Sequence, residues 1–123
     1  MGSRQVARIL VIEDNQEVGE TLCEAVRSLG SYAALCHNTD EGFTLLSQER
    51  FDLVVINFGL PGENGIEGAA RIHETMPHLP IVLITGWLID FDDEALSKSG
   101  IDHVLRKPVG LNGLEEIINR LVA

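Results

Sequence analysis

Five short apolar runs, each followed by a stretch with helical spacing, leave this chain few ways to fold. They read "ARILVIE", "YAALCH", "DLVVIN", "PIVLIT" and "HVLR". The first, third and fourth are almost continuously apolar, as strands must be when both faces of their sheet are covered. Helical patterns fill the intervals. Val18, Leu22, Val26 and Leu29 recur at helical spacing, and Gly30 follows as a stop. Asn38, Thr39 and Asp40 are all candidate caps for a second helix reaching about Gln48. A third helix is predicted over residues 66 to about 76, ended by "MPHLP". The fourth, within residues 92–99, has only Ala95 and Leu96 as an apolar pair, with Gly100 to end it. Leu111, Leu114, Ile117, Ile118, Leu121 and Val122 form the longest stripe, a final helix reaching the C-terminus. Strict alternation of strand and helix predicts an α/β fold with a parallel sheet, and right-handed crossovers make that sheet doubly wound.

At 123 residues the chain is expected to be one domain over 1–123, with 1–5 a flexible or vector-derived start. Nineteen acidic against nine basic residues give a net charge of −10. Such a surface repels nucleic acid and anionic membrane, so neither is expected as a partner. Cys23 and Cys36 match no metal or redox spacing and read as small core side chains in a reducing compartment. No apolar run approaches the roughly 20 residues that cross a bilayer. The opening "MGSRQV" has neither a signal-peptide core nor a myristoylation pattern. The expected location is the cytoplasm.

In a doubly wound sheet, ligand sites form beyond the carboxyl ends of the strands. Glu13 and Asp14 follow the first strand, and Asn57, Phe58 and Gly59 the third. Thr85, Gly86 and Trp87 follow the fourth, and Arg106, Lys107 and Pro108 the fifth. Any one of these has an ordinary explanation: Glu13 and Asp14 as helix caps, Thr85 as a strand end, Lys107 as a solvated side chain. Their convergence on one sheet edge is harder to explain without a ligand. Adjacent carboxylates repel unless a cation or a lysine neutralises them. Oxygen ligands of this kind suit Mg²⁺. An ammonium beside a hydroxyl suits phosphoryl oxygens.

With "VIEDN", "DLVVINFGLPGENG", "IVLITG" and "LRKPV" in these places, the chain resembles the bacterial response-regulator receiver domains over essentially its whole length. The resemblance implies a flavodoxin-like (βα)5 fold, a five-stranded parallel sheet in the order 2-1-3-4-5. It also implies a phosphorelay role, in which a histidine kinase or histidine phosphotransfer protein passes a phosphoryl group to an aspartate ending the third strand. Carried over residue by residue, Glu13 and Asp14 fall on the acid pair that holds Mg²⁺ and Gly59 on the backbone metal ligand. Thr85 and Lys107 fall on the phosphoryl-binding hydroxyl and lysine. The Lys107-Pro108 bond is expected to be cis. A second copy of the chain is a further candidate partner, and Trp87 a candidate partner contact. The chain itself is not expected to be an enzyme.

Two positions depart from the pattern. Asn57 stands at the phosphoacceptor position, whether by nature or by design. An amide with a delocalised lone pair is a far poorer nucleophile than a carboxylate. The chain is therefore expected to be phosphorylation-incompetent and to hold Mg²⁺ only weakly, with Asn57 supplying a neutral oxygen among the metal ligands. At the second position Val104 replaces the aromatic of the switch, and the neighbouring His103 reads as a surface histidine. Two functional readings stay open: a phosphorelay receiver with its acceptor replaced, and a pseudo-receiver that signals by protein binding alone. An enzyme on the same topology fits less well. "EDNQE" offers carboxylates where a flavin phosphate needs donors, and it lacks the two aspartates spaced by one residue of an aspartate-dependent phosphatase. "HETMPH" has the wrong spacing for zinc, and "DFDDEALSKSGI" lacks the glycine and terminal glutamate of an EF-hand.

Overall fold

The computed structural model describes residues 6–86 and 90–122. Residues 8–12, 53–57 and 81–85 carry the apolar runs into the centre of a sheet. These strands, β1 (Arg8–Ile12), β3 (Leu53–Asn57) and β4 (Ile81–Thr85), are flanked by β2 (Tyr32–Cys36) and β5 (Ile101–Arg106). All pairings are parallel, in the order β2-β1-β3-β4-β5. The helices are α1 (Gln16–Ser28), α2 (Thr39–Gln48), α3 (Gly65–Thr75), α4 (Asp93–Lys98) and α5 (Leu111–Leu121). Fold class and strand order are those the sequence implies.

Alternation along each strand sorts the apolar side chains onto two faces. Ile9, Val11, Leu53, Val55, Val82 and Ile84 pack with α1 and α5. Leu10, Ile12, Val54, Ile56, Ile81 and Leu83 point the other way, toward α2, α3 and α4. Each face is a separate core, and the two cysteines divide between them, both buried and unpaired. Burial holds the Cys36 thiol up at about 12, so it stays protonated and inert.

Three expectations need correcting. The fifth strand begins at Ile101, two residues before "HVLR", because Ile101 pairs with Ile81 ahead of an irregularity at Ile81/Val82. The Asp102 carboxylate accepts from the Ile81 N–H there (2.9 Å), anchoring the extra length. Leu111 belongs to the apolar stripe of α5 by spacing, yet it is 50% exposed, since the helix meets the sheet only from Leu114 onward. Val18 is likewise 40% exposed at the start of α1. Among the described residues no helix is long and apolar enough to cross a membrane.

Candidate functional site

β1 and β3 are neighbours whose following helices pack on opposite faces, so a crevice opens beyond their carboxyl ends. Glu13 lies at its floor, one residue past β1. Its N–H donates to the Cys36 carbonyl (3.0 Å), continuing the sheet pairing. The residue is 3% exposed. Asn15, not Glu13 or Asp14, caps α1, accepting from the Val18 N–H at 3.0 Å. The acid pair is therefore released from capping and faces the crevice mouth, with Glu13 inside and Asp14 exposed.

Three donors converge on the Glu13 carboxylate. Asn57 Nδ2 donates to Oε2 at 3.1 Å, and the Asn15 N–H reaches the same oxygen at 3.3 Å. Lys107 Nζ meets Oε1 at 3.4 Å. A reversed Asn57 amide would set its oxygen against a carboxylate oxygen, two acceptors facing each other. The donor orientation is thus fixed by Glu13, and Asn57 Oδ1 points away from it. Burial, followed by the hydrogen bond that a protonated Glu13 makes to the Asp14 carboxylate, raises the Glu13 carboxyl above the usual carboxylate range. The Asn15 N–H and the Lys107 charge oppose that rise.

Local backbone geometry delivers these groups. Thr85, fully buried at the end of β4, accepts from the Lys107 N–H through its carbonyl (2.9 Å). The Lys107-Pro108 peptide is cis. The lysine stem lies along Gly86, where a Cβ would meet its Cδ at 3.7 Å. Beyond β3 the chain turns back: the Phe58 carbonyl accepts from the Leu60 N–H (3.0 Å) and the Gly65 N–H (2.8 Å). Asn64 and Glu67 close a capping box on α3. Arg71 ties the loop down, pairing with Glu63 (2.7 Å) and with Asp40 of α2 (3.0 Å). Gly59 is exposed in this loop. A cleft of about 500 Å³ runs from Glu13, Asn57 and Lys107 between α1 and the β5–α5 connection, walled by Val18, Leu22 and Val109.

The structure thus brings Glu13, Asn57 and Lys107 into direct contact and places Asp14 and Thr85 beside them. Lys107 pairs with Glu13 of the acid pair. Val104 is half-buried on the α3–α4 side of β5, with no ring to turn. His103 sits beside Arg120 of α5, away from the strand-end site. It is half-buried, and its Nδ1 accepts from an Arg120 guanidinium N–H at 3.1 Å. Burial and the Arg120 charge hold its pKa down, against a smaller opposing pull from Glu116. Trp87 lies outside the described residues. Sequence reading missed one participant, the Asn15 N–H, because a backbone donor leaves no periodic signal.

For Mg²⁺ the donor chemistry is right and the charge is low. Glu13, Asp14, Asn57 Oδ1 and the Gly59 carbonyl are all oxygen donors, as that ion requires. Among the described residues no three His, Cys, Asp or Glu side chains gather into a metal cluster. The ion would also compete with Lys107 and Asn57 for Glu13. The oxygen donors present fit Mg²⁺.

A family model for the response regulator receiver domain matches residues 9–119. The transcriptional regulatory protein AfsQ1 of Streptomyces coelicolor is 35% identical over 101 residues, covering 82% of this chain and 44% of that protein. The response regulator protein FleR of Pseudomonas aeruginosa is 26% identical over 115 residues, 93% of this chain and 24% of that one. The chain thus spans less than half the length of these curated relatives. Among solved structures, the response regulator TrrA of Thermotoga maritima in complex with Mg²⁺ and BeF superimposes with a TM-score of 0.85 at 25% identity. That match covers 94% of this chain and 99% of TrrA. The crevice at the strand ends and the likeness across residues 9–119 lead to one assignment: the chain belongs to the response regulator receiver domain family.

Proposed function

We propose that this chain is a receiver domain of a two-component phosphorelay in which Asn57 stands at the acceptor position and leaves it phosphorylation-incompetent. The observation that carries the reading is the Asn57 amide donating to Glu13 at 3.1 Å, where a nucleophilic carboxylate would have to stand. An amide there neither attacks phosphorus nor leaves a stable acyl phosphate. In this reading the chain catalyses nothing, and its partner is a histidine kinase or a histidine phosphotransfer protein. A second copy of the chain is a further candidate partner. The chain works in the cytoplasm, away from nucleic acid and membrane.

Mg²⁺, when held by Asp14, Glu13, Asn57 Oδ1 and the Gly59 carbonyl, would draw negative charge off phosphoryl oxygens. Thr85 and Lys107 are the groups placed to hold those oxygens. The apparatus around Asn57 is otherwise complete, which favours a receiver with its acceptor replaced. The pseudo-receiver reading draws on a different observation: the Glu13 carboxylate is already met inside the resting site by the Lys107 ammonium and the Asn57 amide, which would both compete with a cation. Acetyl phosphate with Mg²⁺ separates the two. Intact mass should show no phosphoryl adduct on this chain and one adduct on Asn57→Asp. An adduct on this chain would overturn the incompetence, and none on Asn57→Asp would leave the pseudo-receiver reading.

A further inference from the structure

α4 is the least anchored helix: it has six residues, and none of them is buried. Its attachment runs through the residues that frame it. Phe91 stands at N′, just before the Asp92 cap, and Leu96 at the fourth helical position, the two places of a hydrophobic staple. Both pack on the core face shared by α2, α3 and α4. A staple residue fixes the angle at which the chain enters its helix, so whatever positions Phe91 also positions α4.

Phe91 meets Phe58. Their ring centroids are 5.2 Å apart with planes inclined at 62°, an edge-to-face contact. Phe58 directly follows Asn57, and its backbone cannot slide. Its N–H is held by the Ile84 carbonyl (2.8 Å), and its carbonyl by the Leu60 and Gly65 N–H groups (3.0 and 2.8 Å). The Phe58 ring is therefore held in a defined place directly beside residue 57. Arg106 of β5 approaches Asp90 at 4.0 Å, a second tie on the segment that carries Phe91. Val104 packs on the same core face but is compact and branched, so it offers no ring to re-orient.

We propose that the Phe58–Phe91 ring pair couples the Asn57 position to α4, the part that Val104 cannot play. Phe91 is thereby a positioning residue acting through Phe58. The coupling goes beyond the chemistry proposed for Asn57 and holds whether or not a phosphoryl group ever arrives there.

Amide hydrogen exchange and side-chain NMR on the full chain test it. The probes are the Leu96 and Ser99 N–H groups, bonded to the Asp92 and Ala95 carbonyls, and the Asn57 side-chain amide. Phe58→Leu and Phe91→Leu should each speed exchange of the two α4 probes by roughly threefold to tenfold. The double variant should be no faster than the faster single one. Phe91→Leu should also move the Asn57 amide resonances, which a merely structural prop for α4 would leave in place. Val104→Ala should not move them, and Phe91→Tyr, keeping the ring edge, should restore the parent values. Should Phe91→Leu not fold, Phe91→Met removes the ring with less loss of volume and is read the same way. Additive effects on exchange, an unmoved Asn57 amide in the ring-deleted variant, or an equal response to Val104→Ala would overturn the coupling.

Discussion

Glu13 holds a buried charge in place with three donors, and each comes from a different part of the chain: Asn57 from β3, Lys107 from beyond β5, and the Asn15 N–H from the cap of α1. A buried carboxylate left with fewer donors would protonate or draw in a cation. Asn57 is thus more than a missing nucleophile, because its amide supplies a donor where an aspartate would supply a second acceptor. The raised Glu13 pKa has a direct consequence for stability. The folded state binds this proton more tightly than the unfolded chain, so the contribution is fully present below the ordinary glutamate value, roughly 4.3. It is lost as pH rises through the folded value. Urea unfolding at a series of pH values should show stability declining more steeply across that window than in Glu13→Gln, which lacks this contribution. Equal pH slopes in the two proteins would mean that Glu13 is not held as described.

At the scale of elements, most boundaries were legible because each has a local chemical cause. Gly30 ends α1 with φ +89°, and Asn38 caps α2 through the Glu41 N–H. What could not be read depended on neighbours distant in sequence. The early start of β5 needs Ile81 beside Ile101, and the exposure of Leu111 depends on where α5 first meets the sheet. Gly65 illustrates such a hidden constraint. In the sequence it is one glycine of a loop; in the structure it brings α3 against the exit of β3. A Cβ there would run into the Asn57 carbonyl oxygen, with the Phe58 Cα and Leu83 Cδ1 at 2.8 Å. Two of those neighbours are backbone and cannot yield cheaply. Gly65→Ala should therefore lower stability by about 1–3 kcal/mol, read as a reduced urea midpoint at unchanged slope. An unaffected midpoint would show that the β3–α3 connection gives way easily.

Taken as a whole molecule, a doubly wound parallel sheet with its crevice beyond the strand ends follows from the alternation of apolar runs, while the strand order was implied by the family resemblance. The identities of the strand-end residues were equally plain. Their pairing was not: adjacency in sequence joins Glu13 to Asp14, whereas the fold joins Glu13 to Asn57 and Lys107, 44 and 94 residues away. That pairing gives the Glu13 carboxylate partners from within the resting site, with Lys107 as its charge partner and Asn57 as a neutral donor. The direct test is a Mg²⁺ titration of this chain and of Asn57→Asp, followed by NMR at Glu13 and Asp14. A unit charge at about 4 Å is worth roughly 4 kcal/mol at an effective dielectric near 20, so restoring one carboxylate should strengthen binding by at least about tenfold even after screening. Saturation is expected only in the millimolar range for this chain, with clearly tighter binding for Asn57→Asp. Equal affinity in the two proteins would contradict the account, because residue 57 would then have no part in setting the charge at the site.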